Sequence, residues 1–177
     1  MPLAFLKGET AVGRYLIEGG HKLEGRVRIQ GSKNAVLPMM AAALLQRGTV
    51  ILRHCPRIDD VRCMEEILRY TGARTWWQEE NLFLDCSKIV TGEIPGAYAD
   101  KMRSSVFLLG SLLPRLGSAS VSYPGGCTIG LRPVDLHVKL LRNLGAELTE
   151  HSGGISARAE TLRGCRHRFP RVSVGAT

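Results

Sequence analysis

The sequence predicts an α/β protein built from repeated βαβαββ units. Three observations carry that prediction. First, "KNAVLPMMAAALLQRGTVIL" and "RSSVFLLGSLLPRLGSASVS" share one design, a polar start, an apolar helix, a Gly-containing turn and a β-rich run, and Arg103 lies 70 residues after Lys33. Second, "EEILRYTGARTWW" matches "VKLLRNLGAELTE", with Gly145 lying 73 residues after Gly72. The extra residues fall in the stretch that holds Cys127, so the second copy has an enlarged loop between its helices. Third, each Gly closes a helical period just before an alternating strand, as a C-terminal cap does.

The elements follow in order. "GRVRIQG" alternates as a strand, and Asn34 to Gln46 forms a helix whose near-continuous apolar surface predicts burial on most sides. Pro38 within it is tolerable only in the first turn or as a kink. "TVILRH" is a strand, Asp59 to Tyr70 a helix, and "RTWWQE" with "NLFLDC" a hairpin across Glu80-Asn81. In the second unit the helices are Ser104 to Leu116 and Val134 to Leu144. "CRHRF" reads as a later strand. "SVGAT" stands 70 residues past Arg103, where a third unit opens, so the chain is expected to be cut within a third repeat. The other reading is a two-unit protein with a frayed tail.

Composition narrows the class. Hydrophobic residues make up 44% and charged residues 23%, as in ordinary soluble domains. No apolar run reaches the length of a membrane span, and the start lacks the cleavage pattern of a secretory signal. Five cysteines without a C-x-x-C pair argue against a disulfide framework and for a reducing, cytoplasmic setting. Cys55, Cys63, Cys86 and Cys165 are expected to be inert, buried packing. The net charge of +8 and the run "RGCRHRFPR" admit nucleic acid or a small anionic substrate. With no recognition motif and 6% aromatics, the small anion is favoured.

One stretch asks for chemistry. In "YPGGCTIGLRPVDLH", Cys127 follows Gly125-Gly126 and precedes Gly130, a flexible setting that suits a reactive thiol better than packing. Cations at Lys33, Arg103 or Arg132, if near, lower its pKa. Lys33 and Asn34 open a helix, where backbone N–H groups beside a cation favour an anion; the bland alternative is a solvated helix end. Arg103 holds the equivalent place in unit two, and its guanidinium fork suits a carboxylate or phosphate. Pro133 stands near the first position of the next helix, and Asp135 complements its dipole. His137 reads as a satisfied helix histidine rather than a metal ligand.

Taken together, "GGHKLEGRVRIQGSKNAVLPMMAAALL", "DKMRSSVFLLGSLLPRLG", "PGGCTIGLRPVDLH", "LRNLGAEL" and "VSVGAT" resemble the UDP-N-acetylglucosamine enolpyruvyl transferases, from about Arg14 to the last residue. The resemblance implies an inside-out α/β barrel, or α/β prism, with two domains of three βαβαββ units each and substrates in the cleft between them. On that template residues 1–30 are a leader and a segment joining the second domain. Residues 31–177 are an incomplete first domain, with units at about 25–90 and 91–160 and a third unit cut at 177; the second domain is absent.

The implied reaction transfers enolpyruvyl from phosphoenolpyruvate to a hydroxyl of UDP-N-acetylglucosamine and releases phosphate. It is the first committed step of bacterial peptidoglycan synthesis, on which cell shape and division depend. By resemblance Cys127 is the general acid and the thiol alkylated by fosfomycin. Lys33 contacts phosphoenolpyruvate, Asn34 the sugar and Arg103 substrate, and Arg132 also manages phosphate. Arg132, Pro133, Val134, Asp135 and Leu136 hold the UDP-sugar, with Arg171, Val172, Ser173, Val174 and Gly175 along the uridine. Arg171 stands where relatives often carry lysine, which keeps the charge and changes the geometry. No metal or organic cofactor is implied, and the partners are the two small molecules, with neither nucleic acid nor membrane. The shikimate-pathway sibling lacks the cysteine loop and "RPVDLH". The family's hydroxyl-activating aspartate and further phosphoenolpyruvate-binding arginines belong to the second domain. The 177 residues alone are therefore expected to turn over little, and an exposed apolar face makes self-association an option. The alternative is a non-catalytic fragment or relative that only binds UDP-sugar.

Overall fold

Both copies of the repeat fold to one plan in the computed structural model, which describes residues 19, 20, 22, 24–99, 102–123, 134–173, 175 and 176. The first copy runs α1 (Lys33–Ala43), β1 (Thr49–Leu52), α2 (Asp59–Tyr70), β2 (Arg74–Gln78) and β3 (Asn81–Asp85). The second runs β4 (Glu93–Ile94), a short α3 (Gly96–Ala99), a 3-10 turn (Arg103–Val106), α4 (Phe107–Leu116), β5 (Ser118–Ser122), α5 (Asp135–Asn143), β6 (Glu147–His151) and β7 (Gly154–Arg158). The sheets repeat as well. One has the order β1-β3-β2, all antiparallel; the other is β4-β5-β7-β6, with β4 parallel to β5 and the rest antiparallel.

Residue pattern explains each helix. In α2, Val61, Met64, Ile67 and Leu68 recur at helical spacing and are buried, while Asp59 and Asp60 in the first turn and Arg69 in the last suit the helix dipole. By contrast α1 and α4 are apolar over most of their surface and pack on each other, placing Met40, Leu44, Leu108, Leu112 and Leu113 in the shared core. Gly72 (φ +105°) and Gly145 (φ +97°) end α2 and α5 in the left-handed region. Each sits in a Schellman pattern, Ala73 N to Leu68 O and Ala146 N to Leu141 O, both 3.0 Å.

Arg115 joins the two copies. From α4 it donates to the carbonyls of Leu44 and Gln46, both at 2.6 Å, which follow α1, and to those of Cys86 and Ser87, which follow β3. Among the described residues no helix is long and apolar enough to cross a membrane.

Several expectations need correction. "GRVRIQG" forms no strand: no ladder partner lies beside it among the described residues, and Val27 and Ile29 are 84% and 86% exposed. "CRHRF" forms none either: no ladder partner lies beside it among the described residues, and it and the residues just ahead of it lie against the end of α5. Arg163 N donates to Leu144 O at 2.8 Å, and Asn143 pairs with His167 at 2.8 Å. The hairpin turns on Glu79-Glu80, since Gln78 faces Asn81 in the register. The first helix begins at Lys33 and ends at Ala43. Pro38 sits past its first turn, leaving the Asn34 carbonyl without a helical donor. The second unit's first helix opens with the tighter 3-10 turn at Arg103–Val106, and α5 spans Asp135–Asn143. Cys165 is exposed and Cys63 half-buried, whereas Cys55 and Cys86 are buried as expected.

Candidate functional site

Two helix starts carry the described candidate residues. Lys33 opens α1, and its Nζ lies 3.1 Å from Oδ2 of Asp60 in the first turn of α2. About half of the Lys33 side chain is exposed, and Asn34 beside it faces solvent. Ser32 caps through its carbonyl, which accepts from Ala35 and Val36 at 3.2 and 3.0 Å. A groove of about 300 Å³ runs between Ser32, Ala35 and Val36 and the loop His54–Pro56, and none of the predicted site residues lines it.

The second cluster forms at the head of α5. Arg171 grips Asp135 with one guanidinium nitrogen, 2.8 Å from each carboxylate oxygen. Two residues on, His137 Nε2 lies 2.7 Å from the Gly175 carbonyl, and its ring leans on Phe107, the first residue of α4, at 6.2 Å between centroids. Ser173 Oγ accepts from Ala176 N at 3.3 Å, and Ala176 is buried. Residues 161–173, with 175 and 176, thus form a strap along α5, from Leu144 at its end to Asp135 at its beginning.

Within the cluster the predicted residues play unequal parts. Leu136 is buried and Val134 half-buried, so both build the wall behind the helix start. Val172 is 99% exposed. Gly175 presents its carbonyl inward and would accept a Cβ at ordinary contact distance from His137 and Phe107. Arg103 begins the 3-10 turn just ahead of Phe107. Cys127, Arg132, Pro133 and Val174 lie outside the described residues. The structure therefore brings Asp135, Leu136, Arg171 and Gly175 together, and joins Lys33 to Asp60 instead. Sequence reasoning missed Asp60, whose only signal was its place in a helix's first turn, and it left His137 without a partner.

The buried thiols differ from a reactive one. Burial pushes Cys55 up to about 11, with the nearby Glu65 carboxylate adding to it, and burial likewise pushes Cys86 to about 11. Both stay protonated at neutral pH, as packing residues do.

The sequence profile of the EPSP synthase (3-phosphoshikimate 1-carboxyvinyltransferase) family matches residues 17–177. Relatives named UDP-N-acetylglucosamine 1-carboxyvinyltransferase include one from Dichelobacter nodosus, 48% identical over 91% of this chain and 39% of its own length. Two named UDP-N-acetylglucosamine 1-carboxyvinyltransferase 2 come from Carboxydothermus hydrogenoformans (43% identical, 93% of this chain, 39% of the relative) and Caldanaerobacter subterraneus (40% identical, 94% and 40%). The chain spans about two fifths of the length of these curated relatives. Among solved structures, the enolpyruvyl transferase NikO from Streptomyces tendae aligns with a TM-score of 0.71 at 26% identity, over 83% of this chain and 32% of that one. An Acinetobacter baumannii EPSP synthase aligns at 0.63 and 16% identity, over 86% and 36%, a likeness of fold alone. The repeated units, the paired sheets and the matched profile agree: the chain belongs to the EPSP synthase family of enolpyruvyl (carboxyvinyl) transferases.

Proposed function

We propose that this chain serves the transfer of enolpyruvyl from phosphoenolpyruvate to a sugar hydroxyl of UDP-N-acetylglucosamine, the entry step of peptidoglycan synthesis in the cytoplasm. The observation that carries the reading is the docking of Arg171 and Gly175 on the head of α5. Two segments 36 to 38 residues apart, each assigned to the UDP-sugar by resemblance, meet there. The names of the relatives at 40–48% identity favour this acceptor over shikimate phosphate.

In this reading the helix start at Asp135 and the strap hold the nucleotide sugar, through Arg132, Pro133, Val134, Asp135, Leu136, Arg171, Val172, Ser173, Val174 and Gly175. Lys33, Asn34 and Arg103 receive the phosphate and carboxylate of phosphoenolpyruvate and the sugar beside them. The sugar oxygen bonds to the enol-ether carbon as Cys127 delivers a proton to the neighbouring methylene. The tetrahedral adduct then loses phosphate from that carbon and a proton from the new methyl group, which restores the double bond in the product ether. Lys33 and Arg132 offset the negative charge that builds on phosphate. By resemblance the family's hydroxyl-activating aspartate belongs to the second domain, so we place the binding of UDP-sugar and the acid here and expect little turnover from these residues alone.

The test is calorimetric binding of UDP-N-acetylglucosamine together with phosphate release. Saturable binding, with no phosphate released even when both substrates are present, supports the assignment. Phosphate release that needs both substrates and stops with fosfomycin or Cys127→Ser would show that these residues suffice for turnover. Absence of UDP-N-acetylglucosamine binding by the folded chain would overturn the reading.

A further inference from the structure

We propose that His137 is a positioning residue for the nucleotide-sugar site, locking the strap's last turn to the heads of both helices of its unit. The inference rests on the function proposed above and adds a residue to it. His137 is the third residue of α5, and helical side chains lean back toward the N-terminus, so its imidazole reaches over the helix start rather than out to solvent. There Nε2 meets the Gly175 carbonyl at 2.7 Å, and the ring rests against Phe107.

A carbonyl only accepts, so Nε2 carries the hydrogen of this bond. The neutral ring then leaves Nδ1 as a bare acceptor, and Nδ1 is buried with no partner. One tautomer is thereby selected: Nε2–H toward the strap, Nδ1 bare in the interior. The ring also marks a crossing point. Phe107 follows the 3-10 turn that Arg103 opens, α5 carries Asp135 and Leu136, and Gly175 lies in the strap's last turn, four residues past Arg171. Three segments far apart in the chain, each assigned to substrate, meet on one imidazole. Arg171–Asp135 is an exposed ion pair, which by itself holds a segment weakly. His137 is the second fastener, and the partly buried one.

The test compares the full wild-type chain with two variants, His137→Leu and His137→Gln, the last keeping an amide N–H in reach of the carbonyl. Hydrogen exchange over residues 171–176 reads the lock, and calorimetry reads UDP-N-acetylglucosamine affinity. His137→Leu is expected to speed exchange there and to weaken UDP-N-acetylglucosamine by about threefold to tenfold, the worth of one net hydrogen bond. His137→Gln recovers most of both. Unchanged exchange in His137→Leu overturns the lock. Faster exchange with unchanged affinity overturns the positioning role. If His137→Leu does not fold, nitrogen NMR of wild-type His137 decides: the Nε2–H tautomer supports the proposal, and Nδ1–H sinks it. A wild type that binds no UDP-N-acetylglucosamine overturns the proposed function and the positioning role with it, while exchange still reports whether the lock exists.

Discussion

Single side chains already separate reactive from inert chemistry in this protein. Cys55 and Cys86, buried and pushed to about 11, are expected to resist iodoacetamide at pH 7.5, whereas exposed Cys165 is expected to label readily. Peptide mass spectrometry of native and denatured chain checks this; labelling of Cys86 in the folded state would contradict it. Asp85 supplies a pH prediction. Its carboxylate accepts from Arg74 Nε at 3.1 Å and from Ser87 N at 3.0 Å, and these bonds, the Arg74 ones foremost, hold it down at about 2 against an ordinary 3.8. A depressed carboxylate contributes stability that is complete above its unfolded value and is lost as pH falls. The urea midpoint is therefore expected to drop between about pH 4 and pH 2, and Asp85→Asn to flatten the drop in that window.

At the scale of elements, the joints are made by groups that satisfy backbone carbonyls where a helix or strand runs out. Arg115 serves four of them across the two copies, after α1 and after β3. Arg115→Ala is expected to cost about 2–3 kcal/mol, since charged donors to partly buried carbonyls are lost together. Arg115→Lys is expected to recover only part of it, because an ammonium lacks the planar fork. Chemical denaturation of both variants measures the difference. Gly72 is a second joint. Besides its φ of +105°, a Cβ there would stand 2.6 Å from the Lys88 carbonyl oxygen, so Gly72→Ala is expected to destabilise by more than about 1 kcal/mol.

At the scale of the whole molecule, the repeat produces two similar units with one interior. The apolar surfaces of α1 and α4 face each other, and neither unit can bury its own central helix without the other. Both tryptophans, Trp76 and Trp77, stand in the first unit, so their fluorescence reports on it alone. Leu112→Ala, a fully buried site in the second unit, is expected to cost about 2–5 kcal/mol. It should shift the tryptophan transition and the circular-dichroism transition together. Separate shifts would mean that the units unfold independently.

Sequence by itself determined the parts that depend on neighbours close along the chain. The span of α2 from Asp59 to Tyr70 was legible residue for residue, because its apolar period, acidic start and Gly72 stop are all local. The repeat and the first unit's hairpin, though not its exact turn, were legible for the same reason. Resemblance named residues for substrate and set 132–136 and 171–175 on one ligand, yet the contacts that join them could not be named. Only tertiary structure decided that 25–31 and 165–169 are not strands, since a strand exists through a partner the segment does not itself contain. Likewise, Lys33 finds Asp60, Arg171 finds Asp135 and His137 finds Gly175 across 27 to 38 residues. No periodicity encodes such meetings; they arise when packed helices bring distant side chains within a few ångströms.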